Sequence, residues 1–578
     1  MSTKFYSFRT IVAVCLGLLL VLTTACSRST SSTPAATQET QAGAKPGEEA
    51  NPKDRPLYTI KVLTNMAINP NIKKSDENEM GKFIKEKFNI VFEYLPYTGD
   101  FVEKANLLLA TGDYPEMLTL AGTDLIKTYV DAGAAIDLEK YFAVAPNFEK
   151  AFATQLPYWR SYSDDNKVHH WEVGVGGETA GTIIMDLPTD VAVRSDALEK
   201  QGWPNIVRQD DFIAFLKQAM KDFPEINGQK TVGMTLPLAE PWGLQGIAGI
   251  GYEKGEKYTS ASGNNAVIWS ILDKKFTDYF LNENVRESLA FFNTLYREGL
   301  LDPESFTDKY PQTTDKMKAG KALSTWYAVW SGSEANQGFV ASGKPEMKYV
   351  TSPFQLESQA DNNEKRVMAM NSTNSNEAVV ITNKAKDPER IMEFINWTLS
   401  EEGQVWRQAG IEGKTYTVQD GNKVLLDEYK KNLRNFDWLK QIGLAYEFRF
   451  IPSINGKTSN GQHYSLLTPE IMNEVAEPRM NEAIEKMGLT EWYDKLLLVP
   501  TDFVNSISLD TKSEEGRLEP KLIDFRNKMS AKLILAKTKE EFNGIYDAAV
   551  ADYKKMKPEI VIDAYNKQYQ EKMKEITK

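Results

Sequence analysis

Cysteine is almost missing from this chain, with Cys15 and Cys26 the two present in 578 residues, and histidine is limited to His169, His170 and His463. So few soft ligands exclude a zinc or iron centre of the usual spacing, and no cofactor or metal is expected. Cys15 sits inside an apolar run, Ile11 to Leu22. If that run is cleaved, no intramolecular disulfide is possible and stability rests on packing. As a helix the run reaches only ~18 Å against a ~30 Å hydrocarbon core, too short for a permanent membrane span. Basic residues are outnumbered, 68 to 80, for a net charge of −12. A polyanion such as nucleic acid is thereby excluded as the main partner. There is no Gly-x-Ser-x-Gly elbow, HExxH motif, phosphate loop or internal repeat. With 80 acidic residues, the carboxylate pair of a glycosidase can be drawn anywhere and so proves nothing.

What is present begins with a leader. Lys4 and Arg9 precede the apolar run, and small residues lead into Cys26, a secretory layout. Thr24, Ala25 and Cys26 resemble the bacterial lipobox, with Thr23 where leucine is usual and Leu22 one place early. Residues 1–25 read as a signal peptide and Cys26 as the lipidated new N-terminus. The alternative is an ordinary signal peptide cleaved beyond an incidental cysteine. Residues 26–56 read as a tether, since Ser27 to Pro56 contains no large apolar residue to repay the entropy of ordering. About thirty flexible residues span ~30 Å, enough to hold a domain clear of headgroups.

The remainder, in a chain 42% hydrophobic and 26% charged, is ordinary globular sequence long enough for two or more cores. "LYTIKVLT" reads as a strand, "ENEMGKFIKEKF" as a helix with Met80, Phe83, Ile84 and Phe88 on one stripe, and "NIVFEYLPY" as a strand. A helix with Phe101, Ala105, Leu108 and Leu109 then stops at Gly112 before a strand after Pro115. Such alternation implies a largely parallel sheet with ligand beyond its carboxyl edge. "TDVAVRSDALEKQGWP", "DDFIAFLKQAMKDFP" and "VRESLAFFNTLYREGLLDPE" begin a second α/β series. "EAVVIT" is a strand followed by the helix "DPERIMEFINWTLSEEG", with Asp387 as cap and Pro388 at its first position. Charged helices fill Glu515 to Lys578.

"LLLATGDYPEMLTL", "YVDAGAAIDLEKY", "VAVRSDALEKQGW", "LYREGLLDPE", "KAGKALSTW", "KDPERIMEFINWTLSEEGQ", "GIEGKTYT" and "TKEEFNGIYDAAVADYKKM" occur in that order. Together they resemble the extracellular solute-binding proteins of bacterial ABC importers, in particular the long carbohydrate-associated lipoproteins. The resemblance implies an α/β, two-lobed periplasmic-binding-protein-like fold with hinge-crossing strands. Crossings are expected near Asp186 to Val191 and Pro353 to Arg366, with a return after about Gly421. The implied lobes are 57–187 and 361–421 for the first, and 188–360 and 422–578 for the second. The implied function is a non-enzymatic receptor, anchored on the extracellular face of the cytoplasmic membrane, that delivers an oligosaccharide to permease subunits. A monomer is expected. A polysaccharide-acting surface enzyme and a receptor for a non-sugar solute such as a peptide remain alternatives.

Sugars present apolar ring faces rimmed by hydroxyls, so aromatic platforms with carboxylates and amides are the candidate contacts. Trp330 matches the place of a sugar-stacking tryptophan in maltose-type members of the family. Trp326 is beside it, and core packing is the alternative for both. Trp242 lies in the Pro/Gly-rich loop "PLAEPWGLQG". Asn65, Thr123 and Asp124 follow strands at the edge expected to face the cleft, with helix capping the other reading of Asp124. Asp113 in "TGDYPE" and Glu412 in "GIEGKTYT" are candidates that a plain turn also explains. "KDFPEINGQK" keeps Asp222, Glu225 and Asn227, a spacing unlike an EF-hand calcium loop.

Overall fold

The computed structural model describes residues 55–64, 72–97, 101–121, 123–173, 191–240, 243–247, 254–257, 265–326, 329–352, 354–371, 377–433, 435–445, 447–467, 471, 478–487, 496–501, 504 and 507–576. Strands β1 (Tyr58–Leu63), β2 (Ile90–Tyr94), β3 (Met117–Ala121), β4 (His170–Glu172), β5 (Ala192–Arg194), β6 (Val232–Thr235), β7 (Ala322–Thr325), β8 (Tyr349–Thr351) and β9 (Glu377–Ile381) form two sheets. One has the order β2-β1-β3-β9-β4 and the other β8-β5-β7-β6. The principal helices are α1 (Glu79–Phe88), α2 (Phe101–Thr111), α3 (Thr123–Asp131), α4 (Gln209–Asp222), α5 (Glu283–Arg297), α6 (Val329–Ala341), α7 (Pro388–Thr398), α8 (Glu401–Ala409), α9 (Glu514–Ile534), α10 (Lys539–Lys555) and α11 (Glu559–Ile576).

The opening βαβ unit follows from its pattern. Ile60 and Val62 alternate into the core from β1, and α1 buries Met80, Ile84 and Phe88. The Asn78 side chain caps α1 by accepting from the Gly81 N–H, and Asn89, at φ 52°, ends it in the left-handed conformation. β1 is parallel to β2 and β3, while β9 and β4 are antiparallel. The sheet is therefore parallel across β2-β1-β3 and antiparallel from β3 through β9 to β4. The Asp387 carboxylate caps α7, as its sequence indicates, but Ser400 accepts from the Gly403 N–H and starts a separate helix, α8. The turn between them is so tight that a Cβ at Gly403 would fall 2.1 Å from the Trp397 carbonyl oxygen.

Each sheet carries its own core. The first buries Phe92, Phe148, Phe152, Trp159, Trp171 and Ile381, the second Phe212, Trp269, Phe280, Phe292 and Val350. α9–α11 complete the second core: the Phe280 and Tyr553 rings lie 5.2 Å apart, those of Phe276 and Tyr565 5.1 Å, and Asn293 Nδ2 donates to the Ala536 carbonyl at 2.7 Å. The chain passes from one core to the other between Val173 and Val191, the expected crossing from Asp186 lying mostly outside the described residues, between Asn371 and Glu377, and after Ile471.

The last two passages differ from the sequence reading. Phe354 and Leu356 still belong to the second core, and the strand Arg366–Asn371 pairs in parallel with Leu496–Thr501 beside it. Residues after Gly421 remain with the first lobe. Ile442, Phe448, Phe450 and Ile451 pack in its core, with the Phe450 ring 5.0 Å from Phe92. The hairpin of Tyr416–Gln419 with Asn422–Leu425 turns the chain back onto that lobe before it leaves.

Candidate functional site

Because β1, β2 and β3 are parallel, their carboxyl ends at Leu63, Tyr94 and Ala121 share one edge of the first sheet, where α/β folds place ligand. Glu377, the first residue of β9, stands opposite Ala121 at this edge, and β4 ends here at Glu172 beside Ala378. The interlobe passages after Val173 and before Glu377 therefore open from this edge. Residues 447–450 lie along it. The Tyr94 hydroxyl donates to the Glu447 carbonyl at 2.9 Å, and Trp171 Nε1 donates to the Phe450 carbonyl at 3.0 Å.

Charge is concentrated here. Arg449 Nε is 3.2 Å from Glu377 Oε2, and Glu172 is 1% exposed. Burial pushes the Glu377 carboxyl above its usual range, Arg449 opposes that, and Glu172 adds to it. Arg407 on α8 is partly exposed. Burial pushes its guanidinium down to about 10, and Arg449 repels it further. Its Nε is buried with no hydrogen-bond partner among the described residues.

The sequence candidates fall in several places. Thr123 and Asp124 open α3 directly beyond β3, at the cleft edge, and Trp330 lies in α6 after β7. The side chains of these three, and all of Asn65, Trp242 and Cys26, lie outside the described residues. Trp326 is 2% exposed, in the second core, with its ring edge-on to Phe292 at 6.1 Å. Asp113 is exposed in the turn that follows α2 and precedes β3, at the amino edge of the sheet, away from Ala121. Its backbone N–H closes the helix onto the Leu108 carbonyl, a turn role. Glu412 is exposed in a turn bridged to Tyr416 and held by Thr415 Oγ1, which accepts from the Ile411 N–H at 2.9 Å. Arg407, Arg449, Glu377 and Glu172 were not singled out from the sequence. The alternation of "YEFRF" marks one of them, placing Glu447 and Arg449 opposite Phe448 and Phe450.

Two sets of oxygen ligands bear on metal binding. "KDFPEINGQK" forms a two-residue hairpin, Glu225–Ile226 against Gln229–Lys230, with Asn227 and Gly228 at φ 50° and 75°. Asp302, Glu304 and Asp308 converge closely enough to hold an ion, but Lys316 Nζ already lies 2.7 Å from Asp302 and 2.6 Å from Glu304. Burial works against the ammonium, and its carboxylate partners more than offset that, raising its pKa. The charge a cation would supply is built in. A cavity of about 620 Å³ lies apart from the cleft edge, lined by Arg286, Glu287 and Arg297 of α5 with Lys539, Glu357 and Ser358.

Residues 248–405 match the family model for bacterial extracellular solute-binding protein. Lipoprotein LipO of Bacillus subtilis strain 168 is 23% identical over 410 residues, 68% of this chain and 74% of LipO. The fructooligosaccharide ABC transporter substrate-binding protein FusA of Streptococcus pneumoniae serotype 4 is 25% identical over 272 residues, 43% of this chain and 47% of FusA. The structure of S. pneumoniae FusA with kestose superposes with a TM-score of 0.56 at 16% identity, covering 89% of this chain and 99% of that one. An extracellular solute-binding protein from Bifidobacterium longum subsp. infantis superposes with a TM-score of 0.60 at 16% identity, covering 90% and 98%. With two separately cored α/β lobes and repeated passages between them, this chain has the periplasmic-binding-protein-like fold and resembles the bacterial extracellular solute-binding proteins.

Proposed function

We propose that this protein is a surface receptor that captures an oligosaccharide between its lobes and delivers it to the permease of an ABC importer. The observation that carries the reading is the carboxyl edge of the first sheet, where strand ends, a charged cluster and the passages to the second lobe coincide. Solute held there touches both lobes only when they approach, so it favours the closed form by its differential affinity, and that form is what a permease distinguishes. FusA's fructooligosaccharides support the sugar class. Thr123, Asp124, Asn65, Trp242 and Trp330 are the proposed contacts, with Trp330 as a stacking platform.

The test is calorimetric titration of the purified protein with a glycan panel, with the same mixtures analysed for cleavage. Saturable binding of an oligosaccharide without product supports the receptor; steady release of cleaved product contradicts it. LipO's description as a lipoprotein supports an anchored location. Cys26→Ala then moves the protein from the membrane fraction to the medium, because the tether has no apolar grip of its own. Unchanged fractionation and N-terminal mass would refute the anchor.

A further inference from the structure

The charged group at the cleft edge is unbalanced in one respect. Arg449 has Glu377 as its partner, whereas Arg407 has no ion pair among the described residues. Arg407 is also repelled by Arg449 and depressed by burial. α8 gives Arg407 little freedom to escape. Val405, Trp406 and Ala409 are buried around it, Trp406 is wedged 5.1 Å from Phe448, and Gln408 Nε2 donates to the Ile454 carbonyl at 2.8 Å. A half-buried guanidinium held without a counter-ion is disfavoured unless something arrives to complete it.

Resting on the receptor reading above, we propose that Arg407, with Arg449 beside it, receives a carboxylate carried by the solute, so that the captured oligosaccharide contains uronic acid. A guanidinium is planar and offers paired N–H donors that match the two oxygens of a carboxylate, which a neutral sugar hydroxyl does not. The arriving carboxylate relieves the repulsion between the two arginines, and Glu377 keeps Arg449 oriented at the edge. A purely structural arginine would instead be satisfied within the fold, as Arg194 is by Asp196 and the Gly320 carbonyl.

The test uses trigalacturonate, its carboxyl-reduced counterpart, and neutral kestose and maltotriose, titrated into the mature protein and the variants Arg407→Gln and Arg407→Lys. The wild type is expected to bind trigalacturonate at least tenfold tighter than the reduced trisaccharide, with affinity falling as salt rises. Arg407→Gln erases that preference, and Arg407→Lys restores part of it. The melting temperature of Arg407→Gln stays level or rises, since a desolvated, repelled charge has been removed. A preference for the acid that survives in Arg407→Gln, or a wild type that binds kestose or maltotriose but not trigalacturonate, overturns the assignment and leaves the receptor reading standing. If none of these oligosaccharides binds, the assignment falls and the receptor reading falls with it for these sugar classes.

Discussion

The two lobes solve the same problem in different ways. The first lobe closes its core with aromatic rings drawn largely from its own early segment: Phe148, Phe152, Trp159 and Trp171 pack edge-on or tilted within residues 148–171, and Phe394, Trp406, Phe448 and Phe450 arrive from afar. The second lobe has a four-stranded sheet of three- and four-residue strands and depends on three helices from the end of the chain. The first lobe buries Glu172 at the cleft edge and Glu116 at the opposite, amino edge of its sheet, where Glu116 accepts from the Tyr58 hydroxyl. The second buries Asp278 and Glu256 behind its core, where burial pushes their carboxyls up to about 6 and about 7. A lobe assembled late in the chain, whose buried carboxyls are pushed this far above their ordinary values, should be the more fragile and the more pH-dependent of the two.

The largest effect is expected from ending the chain at Leu509, which removes α9–α11. The second core then loses Leu522, Leu533, Phe542, Tyr553 and Tyr565 and does not fold, while the first retains a cooperative transition. Protease mapping checks this, and a truncated chain whose residues 191–371 resist digestion would remove the asymmetry.

Next come two tryptophans, one in each core. Trp171→Ala and Trp326→Ala should each destabilise by about 3–5 kcal/mol, with amide exchange accelerated in the first lobe by one and in the second by the other. If Trp326→Ala instead leaves exchange unchanged and weakens only solute binding, Trp326 belongs to the site and not to the core that surrounds it.

The smallest effect distinguishes the lobes by pH. Glu256 binds its proton more tightly folded, at about 7, than at the ordinary glutamate value of 4.5. Its favourable contribution is therefore full below about pH 4.5 and is lost as pH rises through 7. Glu256→Gln should stabilise the protein by about 1–3 kcal/mol at pH 8 and by nearly nothing at pH 4.5, read by denaturant unfolding. An equal gain at both pH values would show that the carboxylate's charge is not the cause.

Local signals carried much of this architecture. β1, α1, β2 and the Asp387 cap are each specified by alternation, helical stripe or capping residue within a dozen positions. The break between α7 and α8 was marked by Ser400, yet an unbroken apolar and polar rhythm across it reads as one helix. The boundary after Ile471 was not legible, because what ties residues 442–451 to the first lobe is Phe92, more than three hundred positions earlier. Arg407 was hidden for a related reason. In sequence an arginine beside Val405 and Trp406 reads as the solvated face of a helix, and its missing counter-ion exists only in the folded arrangement.

The central claim is that solute draws these two unlike lobes together. Small-angle scattering of the mature protein, alone and saturated with the oligosaccharide that titrates most tightly, tests it directly. The radius of gyration should fall on saturation and return when the sugar is dialysed away. Tight binding with an unchanged radius of gyration would contradict capture by lobe closure.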